Sequence, residues 1–201
     1  MSRQRPNPRA DMLRQAVADE AARIMREQGI DDFLFAKRKA AERLGVMDAS
    51  ILPRNTEIEA ALFARQRLFS GGRHESQIAA LRRSALQAMR LMADFEPRLV
   101  GPVRAGTASP HSDINLHLFT ESPESVSIRL HESGVPHEAL ERRLRFERDR
   151  SVSYPAFRFV AGQQTVDAVV FPLDGIRQSP CSPVDGKPMR RASVAEVESL
   201  L

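Results

Sequence analysis

The stretch LVGPVRAGTASPHSDINLH, residues 99–117, decides the fold of this chain. Its left end, Arg98 to Arg104, reads as a strand running into a turn at Gly101 and Pro102. At its right end Ser112 and Asp113 lead into a second strand. There Ile114, Leu116 and Leu118 alternate with Asn115 and His117, the period-two pattern of a strand with one polar face. Two strands joined by a loop punctuated by Gly101, Pro102, Gly106 and Pro110 cannot belong to a helical bundle.

Upstream the period changes to that of helices. Leu13, Val17, Ala21 and Ile24 recur at helical spacing from Ala10 to Gln28, and Gly29 is the stop. Asp31 opens a second helix through Phe35, Ala40 and Leu44 that ends at Gly45. Asn55 or Thr56 caps a third, which turns Ile58, Leu62 and Phe69 inward and stops at Gly71 and Gly72. The fourth has the clearest stripe, Ile78, Leu81, Ala85, Ala88, Met92 and Phe95, and Pro97 ends it. Downstream, Pro123 starts a short helix reaching Ser133. Strands are expected over 144–147, 152–160 and 165–171, the last two joined by a hairpin at Gly162 and Gln163. The predicted class is α+β: a small mixed β-sheet core preceded by an all-helical N-terminal region. The predicted divisions are a disordered basic tail (1–10), a helical region (11–75), the core (76–172), and a Pro/Ser-rich tail with a C-terminal helix (173–201).

Composition narrows the function. The 201 residues hold 30 basic and 26 acidic side chains, 42% apolar residues and a single cysteine. That is globular, without a run of about 18 apolar residues or an apolar leader at the start, so a cytoplasmic protein without membrane association is expected. The pI of about 9.9 suggests nucleic acid. However, residues 1–97 hold 17 basic against 13 acidic side chains while 98–201 balance at 13 each. The excess sits on the tail and helices, and few aromatics are present for stacking on bases, so RNA or DNA binding ranks third among the functions considered.

The 99–117 stretch resembles the signature of the polymerase-β-like nucleotidyltransferase superfamily. That signature is an apolar strand ending in Gly-Gly or Gly-Ser, about ten residues, then acid-apolar-acid on the next strand. Gly101 matches the first glycine and Asp113 the first acid; Gly106, Pro110, Ser112 and the preceding amphipathic helix match as well. A third acid is expected on a later apolar strand, where Asp167 stands between Val166 and Ala168. The resemblance covers about residues 76–172. More loosely, AKRKAAERLG (36–45) and EIEAAL (57–62) resemble proteobacterial proteins that carry such a domain.

The resemblance implies Mg²⁺ as cofactor and an NTP as substrate or ligand. Asp113 and Asp167 would be the catalytic carboxylates, and Asp113, Asn115 and Asp167 the metal ligands. Gly101, Arg104, Gly106, Thr107, Ser109 and Ser112 would hold the phosphates. Two positions depart from the pattern. Asn115 replaces the second acid and removes a full negative charge from a site meant for two dications. Pro102 replaces Ser or Gly and deletes an N–H donor and a hydroxyl. Two readings follow: nucleotidyl transfer from an NTP to a protein, RNA or small-molecule hydroxyl, or a catalytically degenerate module that binds a nucleotide. In the second reading the helical N-terminal region can also dock a protein partner. His117 shares a strand face with Asn115, so it is either a substitute ligand or a hydrogen-bonded structural histidine. Arg143, Arg145 and Arg158 can line a phosphate groove. Lys187, Arg190 and Arg191 are expected to be solvated.

Overall fold

The computed structural model describes residues 8–30, 32–69, 72–109, 112–147 and 150–201, with only the backbone for 66–69 and 73. Expectations placed on residues 1–7, Asp31, Gly71, Pro110, His111 and the Phe69 side chain lie outside the described residues. The chain divides into two compact units. Among the described residues no helix is long and apolar enough to cross a membrane.

The first unit is helical: α1 (Pro8–Gln28), α2 (Phe33–Arg43) and α3 (Asn55–Phe69). Helix α1 starts at Pro8, inside the segment expected to be a disordered tail, because proline's fixed φ suits a first helical turn. Gly29 at φ +63° and Gly45 at φ +66° end α1 and α2 in the left-handed conformation. Asp32 caps α2 by accepting from the Leu34 and Phe35 N–H groups at 2.7 and 3.0 Å. Small residues let the helices approach closely: Ala18, Ala21, Ala22, Ala36, Ala40, Ala41 and Ala61 pack around Val17, Ile24, Ile58 and Leu62.

The second unit is a mixed five-stranded sheet of order β1-β2-β5-β4-β3, so the chain has the α+β class expected of it. Its strands are β1 (Arg98–Val100), β2 (Ile114–Phe119), β3 (His137–Arg145), β4 (Ser151–Ala161) and β5 (Gln164–Phe171). Strands β2 and β5 run parallel; every other pair is antiparallel. Pairing of β4 with β5 stops at Ala156, next to Pro155, which has no N–H to donate. Helices α4 (Arg73–Leu91), α5 (Gly101–Ala105), α6 (Glu124–Glu132) and α7 (Val194–Glu198) complete the unit.

One face of the sheet is apolar and carries the main core. Leu99, Ile114, Leu116, Leu118, Val166, Ala168, Val170, Phe157 and Phe159 meet the α4 stripe together with Val126, Leu130 and Val197. All six stripe positions are buried, although α4 ends at Leu91 and Phe95 lies in a 3₁₀ turn just before Pro97. A second cluster of Phe119, Phe146, Ala156, Val169 and Phe171 covers part of the opposite face.

The sequence reading misses three features. Gly101 to Ala105 forms a short helix rather than a turn, with Pro102 in its first turn. Strand β3 begins at His137, seven residues earlier than its apolar pattern suggests, because charged residues alternate along an edge strand. The C-terminal segment is anchored rather than loose. Ala192 exchanges two backbone hydrogen bonds with Leu99 at 2.8 and 2.9 Å, and Ser193 and Glu196 form a capping box. Replacing the fully buried Leu116 by Ala should cost about 2–5 kcal/mol in urea unfolding, while Met47→Ala at a 97% exposed site should stay within about 0.5 kcal/mol.

Candidate functional site

Register assembles the site. In β2 and β5 Asn115 stands opposite Asp167, and in β5 and β4 Asp167 stands opposite Arg158. Asp113 precedes Asn115 by two residues and therefore lies on the same face. Arg142 pairs with Tyr154, four residues before Arg158, which puts it on that face too. The face opposite the main core thus gathers two carboxylates, an amide and two guanidiniums.

The contacts are ionic. Arg142 donates to Asp167 Oδ2 through Nε at 3.0 Å and again through Nη2. Arg158 Nη2 bridges both carboxylates, 3.2 Å from Asp167 Oδ2 and 3.4 Å from Asp113 Oδ2. The Asp167 side chain is only 8% exposed, against 35% for Arg142 and 41% for Arg158. Its other oxygen, Oδ1, is buried and accepts no hydrogen bond from the described residues. Burial raises the Asp113 carboxyl above the usual carboxylate range and outweighs the opposing pull of Arg158, with Asp167 pushing the same way as burial. Asn115 turns its Nδ2 to the Asp113 carbonyl at 3.2 Å.

The residues expected around the phosphates do not all join this group. Gly101, at φ +71°, packs against Asn115: a Cβ there would meet Asn115 Nδ2 at 3.1 Å. Ser112 is buried and Thr107 half-buried beside the α5 turn. The Arg104 carbonyl accepts from Arg82 at 3.3 Å, and its charge helps to lower Glu196 on α7. The Gly106 carbonyl is 3.0 Å from a ring nitrogen of His74. Arg82 and His74 therefore satisfy the carbonyl end of α5. Ser109 groups with the helical unit.

No protein-family model matches this chain, and no curated protein matches it. Solved structures that resemble it include two terminal uridylyl transferases. One is a cytoplasmic RNA terminal U-transferase, at 18% identity and a TM-score of 0.33, covering 57% of this chain and 34% of that one. The other is the RNA terminal uridylyl transferase Cid1, at 16% identity and a TM-score of 0.32, covering 58% and 37%. The chain spans about a third of the length of the structures it resembles.

The donor set does not suit two divalent cations. Such a pair needs several anionic oxygens, and here there are two carboxylates, with Oδ2 of each taken by a guanidinium. Asn115 contributes no charge. Among the described residues no group of three or more His, Cys, Asp or Glu is placed to hold a metal ion.

His117 supplies no ligand either. It is 3% exposed, and its Nδ1 accepts from Arg191 Nε at 3.0 Å. Burial and the Arg191 charge hold it neutral, with its pKa lowered to about 3. Arg191, expected in solvent, instead donates to the Gly175 and Ile176 carbonyls at 2.8 and 3.0 Å and lies over the Phe119 and Phe171 rings. Burial lowers its pKa to about 10, with Arg98 adding to the effect. Arg142 is the site residue that sequence reasoning passes over. Its signal is the period-two spacing of Leu140, Arg142 and Leu144.

Two predictions follow from these contacts. Neutral His117 binds fewer protons folded than unfolded, so stability falls as pH drops from about 6.5 towards about 3. His117→Gln should flatten that slope, shrinking the loss between pH 7 and 4.5 by about 2 kcal/mol in urea titrations. Gly101→Ala should cost about 1–2 kcal/mol, and less in an Asn115→Ala background, where only the backbone strain remains.

Proposed function

We propose that this chain is a nucleotidyltransferase-like module that binds a nucleotide through its phosphates and does not transfer it. The supporting observation is that Arg142 and Arg158 lie across the Asp113 and Asp167 carboxylates. Nucleotidyl transfer needs cations that neutralise the polyphosphate and also sit beside the attacking and leaving oxygens. A guanidinium does the first and not the second. Its planar fork of five N–H donors suits a phosphate, and it cannot coordinate a hydroxyl and raise its acidity. The contacts to the carboxylates use Nε and Nη2 of Arg142 and Nη2 of Arg158, on side chains that remain partly exposed.

The convergence of Asp113, Asn115 and Asp167 supports a second reading, transfer from an NTP to a protein, RNA or small-molecule hydroxyl with Mg²⁺. Thermal unfolding with each of the four NTPs, in EDTA and in Mg²⁺, separates the two. Stabilisation that saturates, persists in EDTA and weakens roughly tenfold in apparent affinity for Arg158→Gln is expected. Stabilisation by no nucleotide would overturn the binding reading. Labelled product from NTP, Mg²⁺ and cell extract that vanishes with Asp113→Ala would replace it with transfer.

A further inference from the structure

The cluster on the β2–β5 face holds two opposite charges of each kind within hydrogen-bonding reach, in the place where the resemblance leads one to expect cations. Two observations show what the arginines do there. First, Asp167 is a buried charged side chain, and the three hydrogen bonds described to its Oδ2 come from guanidiniums reaching in from β3 and β4. Second, its Oδ1 is buried without a hydrogen-bond partner among the described residues, which leaves one oxygen of a buried carboxylate unmet by them. Arg158 also touches Asp113, joining the two carboxylates through one nitrogen as a bridging cation would.

We infer that Arg142 and Arg158 are built-in replacements for a divalent cation, so that the Asp113–Asp167 pair accepts either the two guanidiniums or a metal ion and not both. The inference rests on these residues forming the site and does not require that the ligand be a nucleotide. Its physical basis is direct. A dication entering between the carboxylates would stand within a few ångströms of two positive charges whose hydrogen bonds already occupy the Oδ2 atoms, so it meets repulsion as well as competition. Asn115 reinforces the exclusion, since its amide adds no charge to recover the lost affinity. With the arginines neutralised the same pair is left with two uncompensated carboxylates, one buried, and becomes a cation site.

Mn²⁺ titration followed by the electron paramagnetic resonance of the free ion tests this on the full chain. The wild type should bind Mn²⁺ only in the millimolar range or weaker. Arg158→Gln should tighten binding measurably, and Arg142→Gln with Arg158→Gln by roughly tenfold or more. Adding Asp167→Asn should abolish that gain. Circular dichroism identifies variants that keep the native fold. A folded double variant that binds no better than wild type would overturn the inference. So would wild-type Mn²⁺ binding that is tight and lost in Asp167→Asn, because metal and guanidiniums would then coexist. Where the double variant fails to fold, folded Arg158→Gln carries the test: binding no tighter than wild type would overturn the inference. Absence of nucleotide binding would leave all these outcomes readable.

Discussion

The centre of the sheet sets the terms for the rest of the second unit. Strands β2 and β5 are parallel neighbours with a partner on each outer side, and most of their residues are buried on both faces. Parallel strands in that position are ordinarily continuous apolar runs. These carry His117 and Asp167, both nearly inaccessible to water, with half-buried Asn115 between them in the register. A buried polar group without partners costs too much to keep, so the buried histidine and carboxylate are each met by arginine. Asp167 takes Arg142 and Arg158, while His117 takes Arg191.

Those pairings also hold the unit together. Arg158 and Arg142 tie β4 and the edge strand β3 to the sheet centre, and Arg191 ties the C-terminal segment to β2 and to the turn at Gly175. Removing one member of such a pair leaves the other buried and uncompensated. The cluster can therefore be structural and ligand-binding at once. The same arginine side chains that neutralise Asp167 remain partly exposed.

Charge counting explains why the site differs from a two-metal centre. Metal catalysis requires an excess of anionic oxygens, and this face balances Asp113 and Asp167 against Arg142 and Arg158. Asn115 fits that balance. A second acid opposite Asp167 would add a like charge to a buried carboxylate that already leaves one oxygen unpaired. Gly101 fits it too, since its missing Cβ leaves the space that the Asn115 amide uses.

Local and periodic features were legible in the sequence. The α4 stripe, the glycine stops, the β2 alternation and the Gly162–Gln163 hairpin each depend on residues a few positions apart, and their physics is that of one helix or one strand. The convergence of Asp113, Asn115 and Asp167 was legible only through the family resemblance carried by residues 99–117, which implies a later acid beside them. The pairings with arginine were not, because 27 arginines offer no local mark to tell which meet a buried group; sequence reasoning reads Arg158 only as a phosphate-groove residue, passes over Arg142 and expects Arg191 in solvent. That choice belongs to register: β3 against β4 places Arg142, β4 against β5 places Arg158, and the Leu99–Ala192 bridge brings in Arg191. The sequence by itself determined the strongly periodic helices and strands and where along the chain the carboxylates stand. Only the tertiary structure decided that those carboxylates meet guanidiniums, because ion pairing across strands depends on which residues the sheet sets opposite one another.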